Sequence, residues 1–167
     1  LRMAEWVWNP SRLDLDGETP PEHVPLQRSV ALPTKRGPTG PDEEPFRYQE
    51  RREFWTRLLQ YATTRTDLHA RCSPTWDAWV GAGAGRTGVG FNYGVLQEQT
   101  RTELYINTGS REQNKALFDE LAQHRATIEE AYGGSLDWQR LDEKKTCRIC
   151  VTLSNGGWAD RQTWDEA

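Results

Sequence analysis

The residues with the most distinctive spacing form the run Gly81-Ala-Gly-Ala-Gly85, which Arg86 follows directly. Backbone N–H groups of a glycine-rich turn, together with an arginine, can bind a phosphate. A dinucleotide or P-loop fingerprint needs a strand, then glycines, then a helix. Here the glycines precede a strand-like segment at 89–95, and no Gly-Lys-Ser or Gly-Lys-Thr follows. The order favours glycines that let a neighbouring element approach closely, and it leaves an anion site at Arg86 as the alternative.

A second set of residues could share one face of a sheet. Segments 89–95 and 101–107 both alternate at the period of a strand, so every second side chain points to the same side. We predict that the nucleic-acid or ligand-binding residues are Arg86, Asn92, Tyr93, Arg101, Glu103 and Arg148, with Trp76 and Trp79 as stacking groups. Single-strand binders combine these residue types, because tryptophan stacks on bases and arginine contacts phosphates. The more common arrangement is a solvated face with Glu103 in ion pairs and with both tryptophans in the core.

Catalytic signals are weaker. The run Asp142-Glu-Lys-Lys145 has the letters of a metal-dependent nuclease motif, but it falls in the turn of a predicted hairpin, where side chains are solvated. His23, His69 and His124 are scattered, and none has a Ser, Cys or Asp at the spacing of a nucleophile system. We therefore assign no catalytic residue, and we expect His124 to lie on the surface.

The cysteines are three in number, and Cys147 and Cys150 have the CxxC spacing. On a strand the two side chains would point to opposite faces. No second cysteine pair or nearby histidine pair completes a zinc site, so we predict neither a metal nor a cofactor. Reduced structural thiols in a cytosolic protein are expected.

Composition limits the class of function. The 167 residues have a net charge of -4, which argues against a surface that binds nucleic acid over its whole extent. Seventeen of the 21 basic residues are arginine, so a local anion site stays possible. The apolar runs are too short for a membrane span.

The chain divides into three parts by composition. Residues 1–8 start at Leu1 and alternate like a short strand, which we interpret as a strand or the remnant of an upstream domain. Residues 9–45 hold most of the prolines and show no sustained period, which predicts an extended arm or linker. The domain itself is expected at 46–167.

The expected fold is α+β, with two antiparallel hairpins that we place in one sheet, packed on two to three helices. Apolar periodicity and caps predict helices at 43–64 and 111–132 and the start of another at 158–167. The first hairpin combines 89–95 with 101–107, and the second combines 136–141 with 147–153.

Several of these segments together resemble one family. They are the run from Gly81 to Tyr93, Phe54-Trp55, Arg101-x-Glu103-Leu-Tyr105-Ile, Asn114-Lys115-x-x-Phe118-Asp119-x-Leu121, Leu136-x-Trp138-x-Arg140-Leu and Arg148-Ile149. The chain is similar over residues 45–165 to DUF4268, a bacterial and archaeal domain of unknown function. The resemblance implies no established activity, but such domains often follow a nuclease-like domain of the restriction-endonuclease type. Two departures are the lack of that upstream domain and an end before the usual closing helix.

The resemblance and the residues lead to one hypothesis and its alternatives. We expect a non-catalytic, cytoplasmic accessory or recognition domain of a restriction-like or phage-defence nuclease. Its partners would be DNA or a nucleotide-type anion and a nuclease-type protein, with no membrane involved. The alternative is a protein–protein interaction or assembly domain that does not bind nucleic acid. An enzyme acting on a small molecule would need a deep pocket lined by Arg86, Asn92 and Glu103.

Overall fold

The computed structural model describes residues 44–164. The predicted strand or remnant at 1–8 and the proline-rich arm, up to residue 43, lie outside the described residues, as do residues 165–167. The helices are α1 (Glu44–Ala62), α2 (Arg111–Gln123) and α3 (Arg125–Tyr132), and the strands are β1 (Trp79–Gly83), β2 (Val89–Val95), β3 (Gln99–Ile106), β4 (Asp137–Gln139) and β5 (Cys147–Gly156). A short 3-10 helix follows at Arg161–Thr163.

The strands form one antiparallel sheet in the order β1-β2-β3-β5-β4. This confirms the α+β fold and places both predicted hairpins in the same sheet. The sheet has a fifth strand, β1, because the glycines and alanines of the glycine-rich run pair with β2. Pairing places Gly81 opposite Asn92, whose side-chain amide occupies the space that a Cβ at Gly81 would need. Glycine at position 81 therefore lets the Asn92 side chain approach β1 closely, which agrees with the prediction that the small residues of this run allow a neighbouring element to come near.

The first hydrophobic core lies under α1. Phe54, Trp55 and Leu58 repeat at helical spacing and are buried against β2 and Trp164. The Trp55 indole donates a hydrogen bond to the carbonyl oxygen of Asp77 at 2.9 Å, which fixes the loop before β1 on the helix. The periodicity thus predicted both this helix and its buried side correctly.

The second core lies under α2. Leu117 and Phe118 pack on Ile106, Cys147 and Ile149 of the sheet. The predicted helix at 111–132 is in fact two helices, since the chain leaves helical geometry at His124 (φ -101°, ψ 15°). The break redirects the apolar side of α3 towards the sheet, where Ile128 is buried.

Caps delimit α2 and α3. Ser110 accepts a hydrogen bond from the backbone N–H of Gln113 at the start of α2, as predicted. Gly133 ends α3 with a positive φ of 85°, a conformation that glycine adopts without strain. The segment predicted to begin a helix at 158–167 contains only the 3-10 turn within the described residues.

A buried polar cluster fixes the turn between β4 and β5. Lys115, which is only 7% exposed, donates from Nζ to the carbonyl oxygens of Leu141 (2.8 Å) and Thr146 (3.1 Å) and also to that of Arg140. Asn114, fully buried, donates to the carbonyl oxygen of Lys145 at 3.0 Å. Two consecutive residues of α2 therefore bind the backbone of the turn. Along residues 44–164, no helix combines the length and the apolar character that crossing a membrane requires.

Candidate functional site

Both cores lie on the same face of the sheet, and the opposite face, which we call the open face, presents polar side chains and glycines. Strand alternation assigns its residues, since Phe91, Leu104 and Ile149 point to the helices while their neighbours point away. The open face therefore includes Trp79, Gly81, Gly90, Asn92, Gly94, Arg101, Glu103, Tyr105, Arg148 and Cys150.

An ionic network occupies the centre of the open face. The Glu103 carboxylate lies 3.0 Å from Nε of Arg101 and 3.3 Å from Nη1 of Arg148. Asn92 donates from its side-chain amide to the same carboxylate at 3.4 Å. Four of the predicted residues therefore lie together in the fold: Asn92, Arg101, Glu103 and Arg148. Two arginines and one glutamate give this patch a formal charge of +1, and their side chains are largely shielded from solvent, with 29% of Arg101, 17% of Arg148 and 10% of Glu103 exposed.

Trp79 lies on the open face at the edge of the sheet, opposite Gly94, which separates it from Arg101, and Trp76 lies three residues earlier, in the preceding loop. The side chains of Trp76 and Trp79 are 51% and 45% exposed, so the expectation that they belong to the core is wrong. Trp76 lies in the loop before β1, and Trp79 begins that edge strand, where no further strand covers it within the described residues. A Cβ at Gly81 would lie 3.4 Å from the Trp79 ring, so the indole lies over the glycines. The Arg52 guanidinium lies 4.8 Å from the Trp76 ring centroid, in cation–π geometry.

Arg86 lies apart from the network, in the turn between β1 and β2. Gly85 and Gly88 flank it with φ of 78° and 80°. A Cβ at Gly88 would overlap the backbone of Thr108, so this glycine permits a close approach of two chain segments. Arg86 is exposed and makes no ion pair among the described residues.

Tyr93 does not share the open face with the other predicted residues. It is adjacent to Asn92 on β2 and therefore points to the helices, where it is 3% exposed. Its ring stacks on His69, with 4.3 Å between centroids and an interplanar angle of 29°. Burial, reinforced by the nearby Cys72, raises the pKa of Tyr93 to about 12.

Tyr93 and His69 border a cavity of about 310 Å³ between the sheet and the helices. Most of its lining is apolar and includes Leu68, Phe91, Leu104, Leu117, Leu121 and Ile128. Arg86, Asn92 and Glu103, the three residues expected to line a small-molecule pocket, also border it. The carboxylate of Glu103 is nevertheless bound by the arginines of the open face.

The polar groups of this cavity are incompletely hydrogen-bonded. Nε2 of His69, which is 2% exposed, lies 3.1 Å from the carbonyl oxygen of Phe91. The His69 Nδ1 atom and the Tyr93 hydroxyl are buried and have no hydrogen-bond partner among the described residues. Burial lowers the pKa of His69 more than the bond to Phe91 raises it, so the ring is neutral at pH 7.

The family of the chain follows from a comparison with family profiles. The profile described as Domain of unknown function (DUF4268) matches residues 50–167, more than half of the chain. The chain belongs to the DUF4268 family. The matched residues include every strand of the sheet together with α2 and α3. No curated protein and no solved structure matches the chain.

Two of the segments on which the resemblance rests, on α2 and at β4, hold the fold of this DUF4268 domain together. Asp119 of α2 accepts two hydrogen bonds from Arg140, at 2.8 and 3.0 Å, and Phe118 meets Trp138 edge-on at 5.9 Å. Lys115 binds the turn that follows Arg140. The two motifs on α2 and at β4 are therefore the two sides of one contact, and they do not lie on the open face.

The remaining candidates for chemistry are structural or exposed. Cys147 is buried under α2 and Cys150 lies on the open face, so their side chains point to opposite faces, as predicted. Burial, followed by the effect of Asp137, raises the pKa of the Cys150 thiol to about 11, which keeps it protonated at neutral pH. The run 142–145 is an exposed turn and His124 is exposed, both as predicted. Residues 44–164 contain no group of three or more His, Cys, Asp or Glu side chains placed to hold a metal.

The sequence did not indicate His69 as a site residue. It lies in an irregular loop after α1, with no periodicity around it, and reaches the cavity through contacts with Phe91 and Tyr93, more than 20 positions away. A histidine followed by a cysteine three residues later was the only local signal, and it did not specify a partner.

Proposed function

We propose that this DUF4268 domain is a non-catalytic recognition domain that binds single-stranded nucleic acid on its open face. The observation that supports the proposal is the half-exposed Trp79 on the sheet face that also carries Arg101 and Arg148, with the half-exposed Trp76 in the loop before its strand. Exposed tryptophan next to a polar, glycine-rich strand is unusual for a solvated face, because tryptophan rarely stays exposed without a partner.

Stacking would supply most of the binding energy. Each base stacked on an aromatic ring contributes about 1–3 kcal/mol, and every base has a face that can stack. The open face is low beside Trp79 because Gly81, Gly90 and Gly94 carry no side chains there. A base on Trp79 would therefore find glycine at the position opposite Trp79 and would have the Asn92 side chain, which lies against Gly81, as a polar neighbour. Double-stranded DNA keeps its bases stacked on each other, so we expect a preference for single strands.

Phosphate contacts would be few. Arg101 and Arg148 share the Glu103 carboxylate, so the patch carries a charge of only +1, and the whole chain carries -4. For single strands, log K falls with log salt with a slope of about -0.7 per phosphate contacted. One or two phosphate contacts therefore predict a slope near -1, which is shallow for a nucleic-acid-binding protein.

The wider role in this proposal is that of an accessory domain. Its support is the resemblance, since similar domains often follow a nuclease-like domain of the restriction-endonuclease type. We propose that the domain positions single-stranded DNA for such a nuclease in the cytoplasm, in restriction or phage defence. The cleavage chemistry would belong to the nuclease.

Fluorescence anisotropy of labelled oligothymidine and of a matched duplex tests the proposal with the 167-residue chain. We expect binding in the micromolar range at low salt, weaker binding to the duplex, and a loss of roughly 5–150-fold for Trp79→Ala. Phe46→Ala is the matched control, because Phe46 is exposed on α1, away from the open face. Absence of binding at low salt, or an equal loss in both variants, would contradict the proposal.

One observation favours a second candidate, a protein-interaction domain. Glu103 already neutralises part of the arginine charge, and the Arg52 guanidinium already lies over Trp76, so both groups are partly engaged. Under this alternative the tryptophans bind an apolar surface of a nuclease-type partner. The same titration separates the two, since the alternative predicts no binding of either oligonucleotide at low salt.

A further inference from the structure

The cavity on the helical side of the sheet carries an inference that is independent of the open face. It lies between the two hydrophobic cores, with Phe91 and Leu104 of the sheet on one side and Leu121 and Ile128 of α2 and α3 on the other. Its volume of about 310 Å³ is at the lower end of the range of about 300–1,000 Å³ that small-molecule sites have. Several of its lining side chains, among them Phe91, Leu104 and Leu121, are only partly buried, so the cavity is open to solvent.

The hydrogen-bonding groups in the cavity define what it can bind. The Phe91 carbonyl oxygen can only accept, so Nε2 of His69 carries the hydrogen and donates to it. In the neutral ring Nδ1 is then an acceptor, and it has no partner among the described residues. The Tyr93 hydroxyl, also without a hydrogen-bond partner there, can donate or accept.

Such buried polar atoms are costly unless they are satisfied. Ordered water prefers polar cavities where it has several polar partners. In this cavity the surrounding side chains are mostly leucine, isoleucine, valine and phenylalanine. A molecule with an apolar body fits the lining better, provided that it also offers a group that both donates and accepts.

Charge restricts the class of molecule further. Glu103 borders the cavity, but its carboxylate is held by Arg101 and Arg148 on the open face. Arg86 borders it from an exposed position. The buried part is thus neutral, and an ionised group placed there would lose its hydration without a counter-ion.

We propose that this cavity is a binding site for a small, uncharged, largely apolar molecule that bears a hydroxyl group, with Tyr93 and His69 as its hydrogen-bonding residues. The apolar body would lie against Phe91, Leu104 and Leu121, and the hydroxyl would donate to Nδ1 of His69 and accept from Tyr93. The site and the open face lie on opposite sides of the sheet, so either can be occupied without the other.

The test is a pair of probes of equal shape, 2-naphthol and 2-methylnaphthalene, titrated into the 15N-labelled chain and followed by amide chemical shifts. The methyl probe is the more apolar, so a cavity without hydrogen-bonding groups would prefer it. We expect 2-naphthol to bind about tenfold more tightly, because only its hydroxyl satisfies the buried groups. Equal or weaker binding of 2-naphthol, or shift changes confined to the open face, would overturn the proposal.

Two variants locate the site. Tyr93→Phe keeps the ring and removes the hydroxyl, so the preference for 2-naphthol should fall severalfold while 2-methylnaphthalene binds as before. Leu121→Phe reduces the cavity and should weaken both probes, and a dispersed amide spectrum checks that it is folded. An unchanged preference in Tyr93→Phe would contradict the assignment. If a variant fails to fold, the comparison of the two probes in the unsubstituted chain still decides the proposal.

Discussion

Lys115 provides the sharpest test of how this domain is held together. Its ammonium group is buried and donates to the carbonyl oxygens of Arg140, Leu141 and Thr146. A hydrogen bond from a charged donor contributes about 1.5–3 kcal/mol, and three bonds from one ammonium group do not add fully. Burying the ammonium costs several kcal/mol, which Lys115→Met would no longer incur. Since the substitution also leaves the carbonyl oxygens without this donor, we expect a net loss of about 3 kcal/mol in the free energy of unfolding.

Urea denaturation followed by circular dichroism measures this loss. Lys144→Met is the matched control, because Lys144 is exposed in the same turn, and its effect should stay within about 0.5 kcal/mol. A loss below about 1 kcal/mol for Lys115→Met would refute the reasoning, because it would mean that the turn does not depend on these bonds.

Three further predictions concern stability. Tyr93→Phe removes a buried hydroxyl without a hydrogen-bond partner among the described residues, so the free energy of unfolding should stay unchanged or rise by about 1 kcal/mol; a loss greater than that in urea denaturation would reveal a partner. Burial lowers the pKa of His69 below its ordinary value of 6.5. The neutral ring therefore makes its full contribution to the free energy of unfolding above a pH of about 6.5, and this contribution declines as the pH falls from there towards the lowered pKa of the folded state. Between pH of about 7.5 and about 5.5, the unsubstituted chain should therefore lose more stability than His69→Gln, and parallel pH profiles would exclude this role. Gly88→Ala should destabilise more than Gly85→Ala, since both positions have positive φ but only Gly88 would press a Cβ on the Thr108 backbone; equal shifts in thermal unfolding would contradict that contact.

The sequence predicted elements well where side chains repeat. The spacing of Phe54, Trp55 and Leu58 predicted α1, and the alternation in 89–95 predicted β2. β1 was missed because glycine and alanine supply no bulky residues by which an alternation can be recognised. The break at His124 was missed because the apolar spacing continues across it, and only the backbone angles change.

Strand alternation in the sequence predicted the part of the candidate site that lies on paired strands. Asn92, Arg101, Glu103 and Arg148 share the open face because they occupy matching positions of paired strands. Tyr93 was grouped with them, but one position along a strand reverses the side to which a side chain points. Trp76 and Trp79 were predicted as stacking groups, with the core as the more common place for tryptophan, and nothing local indicated that β1 would be an edge strand.

The cavity could not be predicted from the sequence. Its lining residues are spread along the sequence from Leu68 to Val151. They come from the loop after α1, from the sheet and from α2 and α3, so the cavity depends on how these elements pack together. No periodicity or motif connects these segments. The segments on α2 and at β4 also carried no functional signal, because Asp119 and Lys115 of α2 both bind Arg140, the first at its side chain and the second at its carbonyl oxygen, and these contacts stabilise the fold.

Mapping the nucleic-acid contact by NMR tests the central claim most directly. The 15N-labelled chain would be titrated with oligothymidine at low salt. We expect the largest shift changes at the indole N–H groups of Trp76 and Trp79 and at the amides of Asn92 and Arg101. Amides on α1, such as that of Phe46, should stay in place. Shift changes on the helices with none on the open face, or no changes at all, would contradict the account.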